Sequence, residues 1–221
     1  MTARFPLVGP EELPWLTFAQ MRQADELAMG RFGIDLLQMM EHAGSAMAEL
    51  VMRLAPEGSV VVLAGSGNNG GGGLCAARHL VNRGRDVSVV LAKEKNAESV
   101  VHHARTLTRM GVLPSVAMPD APVVVDALVG YGLHGPLEGR AAELAEWAAG
   151  RTVFSLDVPS GIGFEKAVEP AATLTLALPK NGLEETRPLF VADIGLPAAL
   201  WAEMGLEVGP LFAESPIVEV A

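Results

Sequence analysis

The sequence predicts a doubly wound α/β domain: a three-layer sandwich around a mostly parallel sheet, with an N-terminal helical extension. Three observations carry this. From Ser59 onward, short β-branched runs alternate with helical segments. The runs are apolar throughout, as strands covered on both faces are. A glycine-rich stretch, "AGSGNNGGGG" from Ala64 to Gly73, lies between the first run and the helix after it.

Each element follows in order. Residues 1–16 are expected to form an irregular arm, because Pro6, Pro10 and Pro14 interrupt regular structure. Residues 17–221 are expected to form a single domain. Thr17 with Gln20 makes a capping box, and "FAQMRQADELAMGRF" carries helical spacing up to Gly33. Asp35 caps a second helix, "LLQMMEHAGSAMAELVMRL", stopped by Pro56; its methionines and alanines form a packing face. "SVVVLAG" is a strand, and "GLCAARHLVNRG" a helix closed by Gly84. "DVSVVLA" is the next strand, and "AESVVHHARTLTRMG" a helix also ended by glycine. "APVVVDALVG" and "RTVFSLDVPSG" are strands flanking the helix "LEGRAAELAEWAAG", and "ATLTLAL" and "LFVADIG" complete the sheet.

Composition narrows the function. With 221 residues, half of them hydrophobic, the chain can bury a sizeable core and is not disordered. The net charge of −10 repels a phosphodiester backbone, and the densest basic stretch, "RHLVNRGR", is broken by apolar residues; nucleic acid is excluded as a partner. Cys75 is the single cysteine, which excludes an intrachain disulfide and suits a reducing compartment. The opening residues carry prolines and carboxylates where a signal peptide needs an apolar core. No run approaches the roughly 20 apolar residues that span a bilayer. The expectation is a soluble cytoplasmic protein with no membrane partner.

Gly65 to Gly70 fits G-x-G-x-x-G between a strand and a helix, where backbone N–H groups and a helix N-terminus can hold a pyrophosphate. Glu94, near the end of the next strand, stands where a ribose-binding acid is expected. Alone, the pattern points to a dehydrogenase or to a tight turn with no ligand. Two features argue for something else. The glycines run on through Gly73, with Asn68 and Asn69 offering amide oxygens among them. Asp126 closes "VVVDALVGYG", and Asp157 and Ser160 close "FSLDVPSGI". Ligands of open α/β sheets bind outside the carboxyl ends of the strands, so Asn69, Asp126, Asp157 and Ser160 are expected to face one crevice. A single such Asp reads as a turn or cap residue; the set reads as a site. Cys75 reads as buried and structural, and His102 and His103 as non-catalytic.

"AGSGNNGGGGLCAARHL", "VVVDALVGYGLHG", "FSLDVPSGI" and "VADIGLP", in this order and preceded by "QMRQADELAM" and "LLQMMEHAG", resemble the NAD(P)H-hydrate epimerase family, the YjeF N-terminal domain. The resemblance runs from about Thr17 to Pro197. It implies a Rossmann-like fold and an isomerase of nicotinamide nucleotide repair. The substrate would be NADHX or NADPHX, reduced cofactors in which water has added across a ring double bond. The enzyme would interconvert their R and S forms, and a separate dehydratase would then act on the S form. The resemblance further implies substrate contacts from Asn68, Asn69, Gly70, Gly71 and Gly72, from Gly130, Tyr131, Gly132, Leu133, His134, Gly135 and Pro136, and from Asp157. It implies a potassium ion held by Asn69, Asp126 and Ser160, and a homodimer.

Asp157 is the expected catalytic residue: a carboxylate would stabilise the flattened, iminium-like cation left when hydroxide departs, and Asp157 is the first choice to shuttle the proton. Lys180 matches a family lysine, and is expected either to fix phosphate and close the pocket or to be a solvated turn residue. Two positions depart from the pattern. Gly72 stands where the family's G-N-N-G-G-D-G loop has aspartate, and His42 stands where asparagine is usual. Either the remaining acids suffice for epimerisation, or the domain is a nucleotide-binding scaffold.

Overall fold

The valine-rich runs become strands because their branched side chains pack on both faces of a covered sheet. A computed structural model describes residues 5–221. In chain order the strands are β1 (Leu7–Val8), β2 (Val60–Ala64), β3 (Val87–Leu91), β4 (Val123–Ala127), β5 (Thr152–Leu156), β6 (Ala172–Leu176), β7 (Leu189–Ala192) and β8 (Ile217–Val220). The helices are α1 (Phe18–Gly30), α2 (Leu36–Leu54), α3 (Asn68–Asn82), α4 (Glu98–Arg109), α5 (Gly139–Ala148) and α6 (Ala198–Glu203). The sheet order is β1-β8-β7-β6-β5-β4-β2-β3, and all pairs are parallel except β7 with β8.

Alternation along β2 divides the core. Val60, Val62 and Ala64 pack with Met47, Leu74 and Val100 from α2, α3 and α4. Val61 and Leu63 pack on the other face with Leu144 and Ala148 of α5. A third cluster joins Met21 and Ala24 of α1 and Met39 of α2 to Leu200 and Trp201 of α6. The chain leaves β2 for β3 on one side and returns to β4 on the other. Loops after β2 and β4 therefore diverge at the carboxyl ends, where open sheets make room for a ligand.

The expected caps are present. Thr17 Oγ1 accepts Gln20 N at 3.2 Å while Gln20 Oε1 accepts Thr17 N at 2.9 Å. Gln38 Oε1 accepts Asp35 N at 2.7 Å at the start of α2. Gly84 takes a left-handed φ of 82° just past α3.

Three expectations need correction. The N-terminal arm is not irregular where it is described: Leu7–Val8 adds a parallel edge strand to β8, and Leu16 bridges Lys180. Proline removes a donor but keeps its carbonyl, and Pro6 O accepts Glu219 N at 2.8 Å. Residues 1–4 of that arm lie outside the described residues. The glycine stretch is not a loop beyond Gly67; α3 begins at Asn68 and contains four consecutive glycines. Finally, α6 and β8 were not expected, and β8 supplies the one antiparallel neighbour among the described residues.

Candidate active site

A cavity of about 410 Å³ opens where β2 and β4 part. Its walls are Met21, Arg22 and Asp25 of α1, Met39, Met40 and Ala43 of α2, and the start of α3. Residues 128–132, Leu156, Asp157 and Lys180 close it from the sheet side. A second cavity, about 470 Å³, lies against β3 between residues 81–89 and 111–119 and holds none of the candidate residues.

Close backbone approach explains glycine at the start of α3. A Cβ on Gly65 would lie 1.7 Å from Leu128 O, and one on Gly70 would lie 2.0 Å from Gly65 O. Neither backbone can move aside, so the strand-to-helix turn nests against the β4 exit only without side chains. The first N–H groups of α3, which have no partner within the helix, lie on the cavity side with Asn68 and Asn69. Ser99 Oγ donates to Asn68 Oδ1 at 3.1 Å, and Asn69 Nδ2 donates to Leu156 O at 3.2 Å. Asn69 Oδ1 points toward Gly130, on which a Cβ would lie 3.2 Å from it and 2.8 Å from Asp157 Oδ2.

Asp157 sits immediately after β5 with φ of 72°, a left-handed conformation strained for a non-glycine residue. The strain turns its carboxylate into the site. Tyr131 N donates to Asp157 Oδ2 at 2.8 Å, and Lys180 Nζ lies 2.7 Å from Asp157 Oδ1. Lys180 is fully buried and also donates to Leu176 O at 2.6 Å and Thr175 Oγ1 at 3.1 Å. It is therefore not a solvated turn lysine. A buried ion pair is tolerable only when its remaining donors are satisfied, and here they are. Across the cavity the Tyr131 hydroxyl donates to Asp25 Oδ2. Burial pushes the Asp25 carboxyl above the ordinary carboxylate range, while the Tyr131 hydrogen bond and Lys180 pull it back. Burial also pushes the Tyr131 phenol up, with Asp25 adding to the shift.

Asp126 and Ser160 lie beneath this surface, both fully buried. Asp126 Oδ1 accepts Ser160 Oγ at 2.6 Å and Leu128 N at 3.2 Å; Oδ2 accepts Ser155 Oγ at 2.8 Å and Ser160 N at 2.9 Å. Burial pushes this carboxyl up, and these four donors pull it back. Ser160 Oγ also accepts Val129 N at 3.0 Å, tying the layer to the cavity wall.

Seven of the residues predicted from sequence line the cavity together: Asn68, Asn69, Gly72, Gly130, Tyr131, Gly132 and Asp157. Gly70 and Gly71 are buried within α3, behind that surface. Leu133 packs toward the α5 face, and His134, Gly135 and Pro136 lie off the cavity wall. Glu94 is exposed and not on the wall either. Cys75 is buried between α2 and α3, and burial with Glu41 beside it pushes its thiol up to about 12, the reverse of an activated cysteine. Sequence reasoning missed Asp25. Its signal was present: it shares the buried stripe of α1 with Met21, Ala24 and Ala28, an odd place for a carboxylate.

The chain is similar to known proteins along most of its length. The chain is 40% identical over 228 residues to the NAD(P)H-hydrate epimerase of Dehalogenimonas lykanthroporepellens, covering 94% of this chain and 92% of that one. It is 38% identical over 218 residues to the NAD(P)H-hydrate epimerase of Truepera radiovictrix, covering 91% and 98%. The crystal structure of the yeast protein ynu0 superposes with a TM-score of 0.82 at 25% identity, covering 94% of this chain and all of that one. The family described as YjeF-related protein N-terminus matches residues 36–182, from α2 through the cavity to just past Lys180, and this chain belongs to it.

Proposed function

We propose that this chain is an NAD(P)H-hydrate epimerase, an isomerase that interconverts the R and S forms of hydrated NADH or NADPH. One observation carries the reading: the α3 N-terminus, with its two asparagines, and the Asp157–Lys180 pair share one cavity at the point where the strand order reverses. Phosphates suit the unpartnered N–H groups and positive end of α3. The apolar wall of Met39, Met40, Ala43 and Ile194 suits a flat ring. Asp157, with an oxygen on Lys180 and an oxygen on Tyr131 N, is a fixed negative charge placed to stabilise a ring cation.

A potassium ion belongs to the same proposal, held by Asn69, Asp126 and Ser160. The donor set fits. Asp126 is a fully buried carboxylate with four hydrogen bonds but no Lys, Arg or His in an ion pair with it among the described residues, so a counter-charge is wanting. Carboxylate, hydroxyl and amide oxygens are the ligands that hard cations take. Bound there, the ion would supply positive charge that offsets Asp126 and favours anionic phosphates nearby.

The test uses separated R and S NADHX, following their exchange with and without the protein in potassium or lithium chloride. Exchange faster than the spontaneous rate is expected, and equal rates would remove the reading. The melting temperature is expected to be higher in potassium than in lithium at equal ionic strength; no difference would remove the ion.

A further inference from the structure

Building on the epimerase reading, we propose that Asp25 of α1 is the residue that gives and takes the proton in this cavity, with Tyr131 holding it in place. Two carboxylates line the cavity, and their surroundings divide the work. Asp157 faces the Lys180 ammonium with Oδ1 and accepts Tyr131 N with Oδ2, so both oxygens are turned to protein groups. Asp25 has Oδ2 on the Tyr131 hydroxyl, while Oδ1 takes no hydrogen bond among the described residues. Tyr131 thus grips both acids, Asp157 through its backbone and Asp25 through its side chain. No carboxylate reaches the cavity from α3, because Gly72 lines the wall there.

The charged groups around Asp25 come from four directions. On its own helix Glu26 disfavours its ionised form, and Arg22 lies by the Tyr131 phenol. From the end of β5 Asp157 acts in the same sense as Glu26, and from beyond β6 Lys180 acts against it. The Tyr131 hydrogen bond, from the β4–α5 connection, also favours the ionised form. Burial is the largest influence and favours the neutral acid, which a proton donor requires.

The step balances without any further reagent. The Asp25 proton passes to the hydroxyl oxygen on the hydrated ring carbon. That C–O bond breaks as the ring nitrogen lone pair forms a C=N bond, and water leaves. A water then adds to the opposite face, a new C–O bond forms, the C=N electrons return to nitrogen, and the spare proton goes to the Asp25 carboxylate. Only configuration has changed.

The experiment compares wild type, Asp25→Asn and Tyr131→Phe in this chain for R/S exchange, NADH binding and the pH profile of the rate. Asp25→Asn is expected to lower kcat about 100-fold, the usual scale of general acid–base catalysis, with NADH affinity unchanged within about threefold. Tyr131→Phe keeps the acid but removes a hydrogen bond that favours its ionised form. The alkaline limb of the rate profile should therefore move to higher pH. A loss in Asp25→Asn of less than about tenfold overturns the assignment. An equal loss of NADH binding overturns it too, since it would mark a structural role. Should Asp25→Asn fail to fold, an unmoved limb in Tyr131→Phe is the overturning result. A wild-type rate no faster than spontaneous exchange overturns the epimerase reading, and this assignment with it.

Discussion

Lys180 takes its ammonium into the interior and spends all three donors there, on Asp157, Leu176 O and Thr175. Removing either partner of such a pair strands the other charge. Lys180→Met and Asp157→Asn are each expected to cost about 3–5 kcal/mol, whereas the double variant should recover much of that loss. Urea unfolding of the four proteins checks this, and a coupling below about 1 kcal/mol would mean the pair does not anchor the site. In the sequence Lys180 lies in "LPKNG", where a turn lysine and a site lysine look alike. Its backbone bridges Leu16, 164 residues earlier in the chain, a pairing invisible to local pattern. Gly72 is the opposite case, fully legible as a departure from the family loop. A Cβ there would meet only a Leu156 methyl, at 3.1 Å, so a small shift of one side chain would admit a larger residue. Packing alone does not demand glycine at 72, unlike at 65 and 70.

The start of α3 shows how far element prediction reached. Alternating valine runs and helical spacing located six strands and five helices, because apolar periodicity reports local burial. Four glycines in a row argue against a helix on propensity, yet α3 begins before them. Docking against the β4 exit outweighs that cost. Gly65→Ala should accordingly cost more than about 3 kcal/mol, since the added methyl meets a backbone carbonyl. Gly132→Ala, with nothing within 4 Å of its Cβ, should change stability by less than about 0.5 kcal/mol. Comparable urea midpoints for the two variants would refute the close-approach account. The short β1 and β8 escaped notice for another reason. Two and four residues are too few for a period to show, and β1 lies among prolines.

At the scale of the molecule, pH dependence draws on groups from several elements. His103 of α4 is buried with no hydrogen bond to Nε2 among the described residues, and burial, with His102 and Arg78 adding to it, holds its pKa down at about 4. The unfolded chain binds that proton near pH 6.5, so the neutral buried form favours folding most above that pH. Its contribution is lost as pH falls from about 6.5 toward 4. Melting temperatures over this window should decline in wild type and decline less in His103→Leu; parallel curves would exclude His103 as a cause. Asp25 and Asp126, raised by burial, act with the opposite sign, because the folded state holds their protons longer as pH rises. Among the described residues no helix is long and apolar enough to cross a membrane.

The sequence by itself determined the order of β2 to β7 and of α1 to α5, the strand tips that carry Asp126 and Asp157, and the ordered motifs that mark the family. These follow from short-range periodicity and from the strands' shared direction, both of which are written locally. Only the tertiary structure decided that Lys180 meets Asp157, that Tyr131 meets Asp25, and that Asp126 and Ser160 lie one layer below the cavity wall. Tyr131 and Asp25 are 106 residues apart, and no period links them. Whether a buried charge is stabilised, neutralised or left costly depends on neighbours brought by other elements, and those neighbours are chosen when the elements dock.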